Sequence, residues 1–235
     1  MTPAAATLDL WDTLAAVAPP ARGAAVLVAR GVAPDLVAAG DVPLAVAARE
    51  ALVTLRDRVG PVLDTTLACP ACEALLDVPL PLDQVLAGSA GPPLDVDVDV
   101  DVDGVVVRGP TTSDVLAALA SADPAATLRA QCVTWPAGSD PDADADLAAR
   151  VAATAEQVCG LAGTSLRLHC PECGREVVAD VDAVGLLTER VAEEARDVLA
   201  DVATLAAAFG WSEREVLALP PSRWHAYLGL VGAQG

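Results

Sequence analysis

Two short motifs, Cys69-Pro70-Ala71-Cys72 and Cys170-Pro171-Glu172-Cys173, constrain the fold of this 235-residue chain more than any other feature. Each follows a strand-like apolar run, Thr66-Leu67-Ala68 and Leu166-Arg167-Leu168-His169, and precedes another, Glu73 to Leu80 and Arg175 to Val181. Strand, CPxC knuckle, strand is half of a zinc ribbon, and two halves supply the four thiolates of one tetrahedral site. The expected ligands are therefore Cys69, Cys72, Cys170 and Cys173, holding one structural Zn²⁺.

The knuckles are roughly a hundred residues apart, so one ion must close a long loop. The length-dependent cost, (3/2)RT ln n, is about 4 kcal/mol, against about 10–16 kcal/mol of apparent binding free energy for structural zinc in small peptides. The metal is strong enough to act as a clasp between distant segments. Separate use of each CxxC pair, a thioredoxin-like redox role and iron are the competing readings of the same cysteines.

Around the knuckles the periodicity is mostly helical. Leu8, Trp11 and Leu14 share a helix face, Pro19-Pro20 stop that helix, and Ala24 to Ala29 suit a second. Pro43 suits a first helical position, with Leu52, Leu55 and Val59 on one side of a helix that Gly60-Pro61 end. Pro81 to Leu86 suit one or two helical turns before a linker from Gly88 to Pro93. Asp95 to Asp103 alternate Asp and Val, a period of two, and Asp103-Gly104 signals a hairpin returning through Val105 to Arg108. Asp99, Asp101, Asp103 and Gly104 also open a calcium-loop pattern, which fails at Pro110 where a bidentate Glu is needed.

Three helices are expected next: from Ser113 to Ala122 capped by Thr112 or Ser113, from Pro124 to Val133 capped by Asp123, and from Pro141 to Gly160 capped by Asp140. Cys132 and Cys159 read as small core residues of these helices. Val191, Ala195, Val198, Val202, Leu205 and Phe209 form the seam of a long helix from about Asp182, closed by Gly210. Ser212 to Glu215 is a capping box, and Pro220-Pro221 start a last helix that buries Trp224, Tyr227, Leu228 and Val231.

The expected fold is thus α+β, mainly α-helical with small β-hairpins and a zinc-ribbon-like four-cysteine clasp. Three parts are expected: 1–93 with the first knuckle, 94–160 as an inserted hairpin and helices, and 161–235 with the second knuckle and a C-terminal helical hairpin.

A formal net charge of −19 opposes nucleic acid as a partner, because that affinity rests on clustered cations neutralising phosphates. The amino terminus lacks a basic signal-peptide region, and no uncharged run spans a bilayer, so a cytoplasmic protein is expected. His169 precedes a ligand but would point to the opposite strand face, and His225 has no metal-ligating or catalytic neighbour at helical spacing. Four cysteines leave a zinc ion no open position, and the expectation is a non-enzyme with no small-molecule substrate.

Several blocks together resemble a known family. They are Arg49 to Arg56 before Gly60, the CPAC knuckle, Gly109-Pro110-Thr111-Thr112-Ser113-Asp114, the LHCPEC knuckle, and Phe209-Gly210-Trp211-Ser212-Glu213 with Leu217-Ala218-Leu219. The chain resembles the T4-type baseplate hub assembly chaperone family and its relatives in contractile injection systems, from about Trp11 to Val231. It departs from that pattern at Val59, Asp201-Val202-Ala203 and Arg223-Trp224. The resemblance implies a component or assembly chaperone of a contractile tail baseplate that contacts hub or wedge proteins. A zinc-ribbon regulator or nucleic-acid adaptor and a CxxC redox protein are the alternatives.

Overall fold

The computed structural model describes residues 2–88, 99–138 and 144–233. In chain order the elements are α1 (Pro3–Ala15), α2 (Arg22–Ala29), α3 (Leu36–Gly40), α4 (Leu44–Val59), β1 (Val62–Ala68), β2 (Leu75–Pro81) and α5 (Leu82–Gly88). They continue with β3 (Val100–Val102), β4 (Val105–Val107), α6 (Thr112–Leu119), α7 (Pro124–Cys132), β5 (Val133–Thr134), α8 (Ala145–Cys159), β6 (Ser165–His169) and β7 (Glu176–Asp180). The last are α9 (Ala183–Phe209), α10 (Glu213–Leu217) and α11 (Pro221–Gly232). The described chain is mainly helical with small antiparallel sheets, as expected.

Contacts group the chain into two compact units, Met1–Ala18 with Gly185–Gly235, and Pro19–Val184. In the smaller unit, Val202, Leu205, Val216 and Trp224 form the core, with Val198, Trp211, Tyr227, Leu228 and Val231 packed against it. Its turns follow the sequence signals closely. Gly210 takes φ 69° and donates its amide to Ala206 O at 2.9 Å, which ends α9. Both halves of the Ser212–Glu215 capping box are present, and the Glu215 carboxyl is held below its usual range by the Ser212 amide and hydroxyl.

The larger unit holds all the strands. α4 buries Ala51, Leu52 and Leu55 and delivers the chain to β1. The foot of the first hairpin is tied by the Leu82 amide, which donates to Pro61 O at 2.8 Å, and Leu80 and Leu82 are fully buried there. A 3₁₀ turn, Gly160–Gly163, packs on α4 with Leu161 buried and leads into β6. Both knuckle hairpins therefore rise from turns seated on one helix.

The third sheet, in order β3-β4-β5, packs through Val105 and Val107 against Val151 of α8. Its turn has Asp103 at φ 52° and Gly104 at φ 87°, the two positive angles that a two-residue hairpin needs. Asp101 Oδ1 accepts the Gly104 amide and Asp103 pairs with Arg150, so two of the three carboxylates of the calcium-like pattern serve the turn and an ion pair. Asp95 to Val98 of the repeat and most of the Gly88–Pro93 linker lie outside the described residues.

Three helix starts differ from expectation. Pro43 is the N-cap of α4 and not its first helical residue, with ψ 139°, because it forms a bridge with Thr111 and Leu44 N donates to Pro110 O. α6 is capped by Thr111 and not by Thr112 or Ser113; Asp114 reaches back to the Thr111 amide in a capping box. The described part of α8 begins at Ala145 with Asp144 as its cap, while Asp140 and Pro141 lie outside the described residues.

Candidate metal centre

β1 and β2 pair in a register that closes at Ala68↔Leu75, and β6 and β7 in one that closes at His169↔Glu176. Each pair brackets a six-residue knuckle running from its first cysteine. Within it, the Cys69 amide donates to Ala74 O at 2.9 Å and the Glu73 amide to Cys69 O at 2.8 Å. The second knuckle repeats both bonds, Cys170 N to Arg175 O and Gly174 N to Cys170 O, each at 2.9 Å. The residue after the second cysteine takes a left-handed conformation in both, Glu73 at φ 60° and Gly174 at φ 70°. Two distant pieces of sequence thus fold into the same knuckle.

The knuckles face one another. Cys69 Sγ lies 3.8 Å from Cys173 Sγ, Cys72 Sγ lies 3.7 Å from Cys170 Sγ, and all four sulfurs fall within 4.8 Å of one another. Four sulfurs at about 2.3 Å from one ion and at tetrahedral angles stand about 3.8 Å apart. The crossed pairs match that edge length, and all four cysteines are free thiols. The set therefore has the spacing and chemistry to hold one metal ion; four soft sulfurs suit zinc or iron. It is the only such group among the described residues.

Exchanging one knuckle for the other preserves the pattern: each first cysteine is buried, each second one exposed, and each crossed pair joins a first to a second. Beneath the sulfurs, Leu76 and Val177 complete a small core with Cys69 and Cys170, packed by Ala74, Val78 and Leu168. Leu76 and Val177 each stand four residues after a second cysteine, so aligning the two knuckles in the sequence places them at one position.

The thiols influence one another. Amide groups of Ala71 and Cys72 directed at Cys69 lower its pKa to about 7 despite burial. At Cys72 the Ala74 amide acts in the same direction, but lost solvation and the neighbouring thiols Cys173, Cys170 and Cys69 outweigh it and push the value up to about 12. Four adjacent sulfurs do not ionise independently without a cation, and a bound metal supplies that cation.

The remaining candidates lie apart from this cluster. His169 is exposed at the end of β6, and His225 is exposed on α11 with Nδ1 2.7 Å from Pro221 O. Cys132 and Cys159 sit on α7 and α8, where burial first, then the charges of Asp114 and Glu156 respectively, raise their pKa values. One buried charged group was not anticipated. Asp114, with a side chain 9% exposed, takes a two-pronged grip from Arg108 at 2.6 and 2.8 Å and also accepts the Thr111 amide and hydroxyl. Arg108 above all holds its carboxyl below the usual range.

No protein-family model, curated protein or solved structure matches the chain. No helix among the described residues is long and apolar enough to cross a membrane.

Proposed function

We propose that the protein is a zinc-stabilised, non-enzymatic component or assembly chaperone of a contractile-tail or injection-system baseplate, acting through protein–protein contacts. The crossed 3.7 and 3.8 Å sulfur spacings support the metal part of this reading, because they match a site whose four positions are filled by protein. In that reading Cys69, Cys72, Cys170 and Cys173 hold one Zn²⁺ as thiolates. The ion supplies cohesion between two hairpins that share only a small apolar core. A closed four-thiolate site leaves no position for water or substrate, which favours a structural over a catalytic role.

The baseplate assignment rests on the ordered sequence blocks that resemble the chaperone family. The surroundings of the knuckles favour a protein partner over nucleic acid: Asp64, Asp77, Glu73, Glu172 and Glu176 outnumber Arg167 and Arg175, and Arg167 is already 3.9 Å from Glu176. The test is purification with the products of neighbouring genes under reducing, chelator-free conditions. One zinc per chain and retention of baseplate hub or wedge proteins are expected. Metal-free protein with intact hairpins would refute the clasp, and absence of tail proteins from the complex would refute the baseplate role.

A further inference from the structure

The larger unit carries an apolar ledge that its own core does not use. Scattered exposed apolar side chains are normal on a soluble protein. Here, however, five of the eleven large ones exposed among the described residues, Val32, Leu36, Val37, Leu116 and Leu119, come from α3, the turn before it, and α6. These two helices touch: a Cβ added to Gly40 would lie 2.8 Å from Ser113 Oγ, and that hydroxyl donates to Asp41 Oδ1 at 2.9 Å.

On each helix the exposed apolar residues stand at helical spacing from the shared contact. Leu36 and Val37 stand four and three residues before Gly40, and Leu116 stands three after Ser113, so both apolar stripes run from the shared contact. Below it α6 is anchored by buried Thr112, Asp114 and Ala118, with Asp114 gripped by Arg108.

Its charge is one-sided. Asp35, Asp41 and Asp123 are exposed around it, while the flanking cations Arg30 and Arg108 are occupied by Glu50 and Asp114. Arg22, partly buried at the start of α2, and Arg129 on α7 are the remaining cations of the elements packed against α3 and α6. A second copy of a chain with net charge −19 is electrostatically the wrong occupant. The geometry points to a docking surface on α3 and α6 for an amphipathic helix of another protein that carries Arg or Lys beside its apolar stripe. This surface is defined independently of the assembly the protein serves.

The test uses the full metal-loaded chain and a labelled helical peptide of roughly four turns, with a leucine stripe flanked by lysines. Its controls are a scrambled peptide of equal charge and a Glu-flanked twin. Val37 and Leu119 are 81% and 59% exposed, so Val37→Ser with Leu119→Ser leaves core and charge unchanged. Fluorescence anisotropy is expected to show binding to the lysine peptide alone, weakened at least tenfold by the double variant at unchanged thermal midpoint and metal content. Equal binding by the variant, or equal binding of the scrambled peptide, would overturn the proposal. So would a dimer in analytical ultracentrifugation that the double substitution abolishes, since the occupant would then be a second copy.

Discussion

The hairpin β3–β4 is a shorter ladder than either knuckle hairpin, and it is held in a different way. β3–β4 gains a third strand and lays Val105 and Val107 on α8, so burial supplies its stability. The knuckle hairpins remain two-stranded, alternate exposed and partly buried residues, and share a core of Cys69, Leu76, Cys170 and Val177. Isolated two-stranded hairpins are marginal in water. Helices reach the foot of the first knuckle hairpin, and at the knuckle ends the sulfur cluster is the feature able to fasten the two ladders together.

The sharpest way to break this contrast is to remove one ligand. Cys72→Ser and Cys173→Ser should each abolish stoichiometric metal binding and destabilise the larger unit by more than about 4 kcal/mol, and by nearly equal amounts. Metal analysis and urea denaturation check both; a silent substitution in one knuckle would show that the knuckles do not share an ion. A strong chelator should lower the thermal midpoint of the native protein and leave that of either variant nearly unchanged.

The ion pair beside β4 comes next. Asp114→Asn leaves Arg108 without its carboxylate partner and should cost about 3 kcal/mol at neutral pH. Because the folded-state pKa of Asp114 is depressed, its contribution is complete above the ordinary carboxyl value of 3.8 and is lost as pH falls through the lower folded value. The stability gap between native and variant protein should therefore stay constant above about pH 5 and narrow in acid, as urea midpoints at successive pH values would record.

A smaller effect is expected from the core under the sulfurs. Leu76→Ala removes a side chain that is 5% exposed and should cost about 2–3 kcal/mol, measured as a shift in the urea midpoint. The least effect separates the two knuckles themselves. Gly174→Ala should destabilise by about 1 kcal/mol, while Glu73→Gly should stabilise by up to about 1 kcal/mol, because both positions need a left-handed backbone and only one has glycine. Equal and opposite shifts in denaturation midpoint would confirm that the knuckles are conformationally equivalent.

Much of this was legible without coordinates wherever the signal is local. The Asp103-Gly104 turn, the Ser212 capping box and the long seam ending at Gly210 all rest on interactions within a few residues, and the structure places each as read. The misreadings have a common cause. Pro43 and Thr111 changed roles because they meet each other across the chain, and the Arg108–Asp114 grip formed because β4 ends beside the first turn of α6. Val133 and Thr134 were extended into a third strand by β4, a partner that helical periodicity does not reveal.

The sequence by itself determined the type of most pieces and the identity of the four thiols, since a knuckle is set by cysteine and proline within a few positions, whereas α3 and the short strand β5 carried no such local signal. Only the tertiary structure decided that those thiols converge at metal-binding distance and that each first cysteine is buried and each second exposed. The physical reason is that convergence depends on α4: it leads directly into β1 and seats the turn that leads into β6. Packing between residues distant in sequence carries no local signature until the helix that organises it has folded.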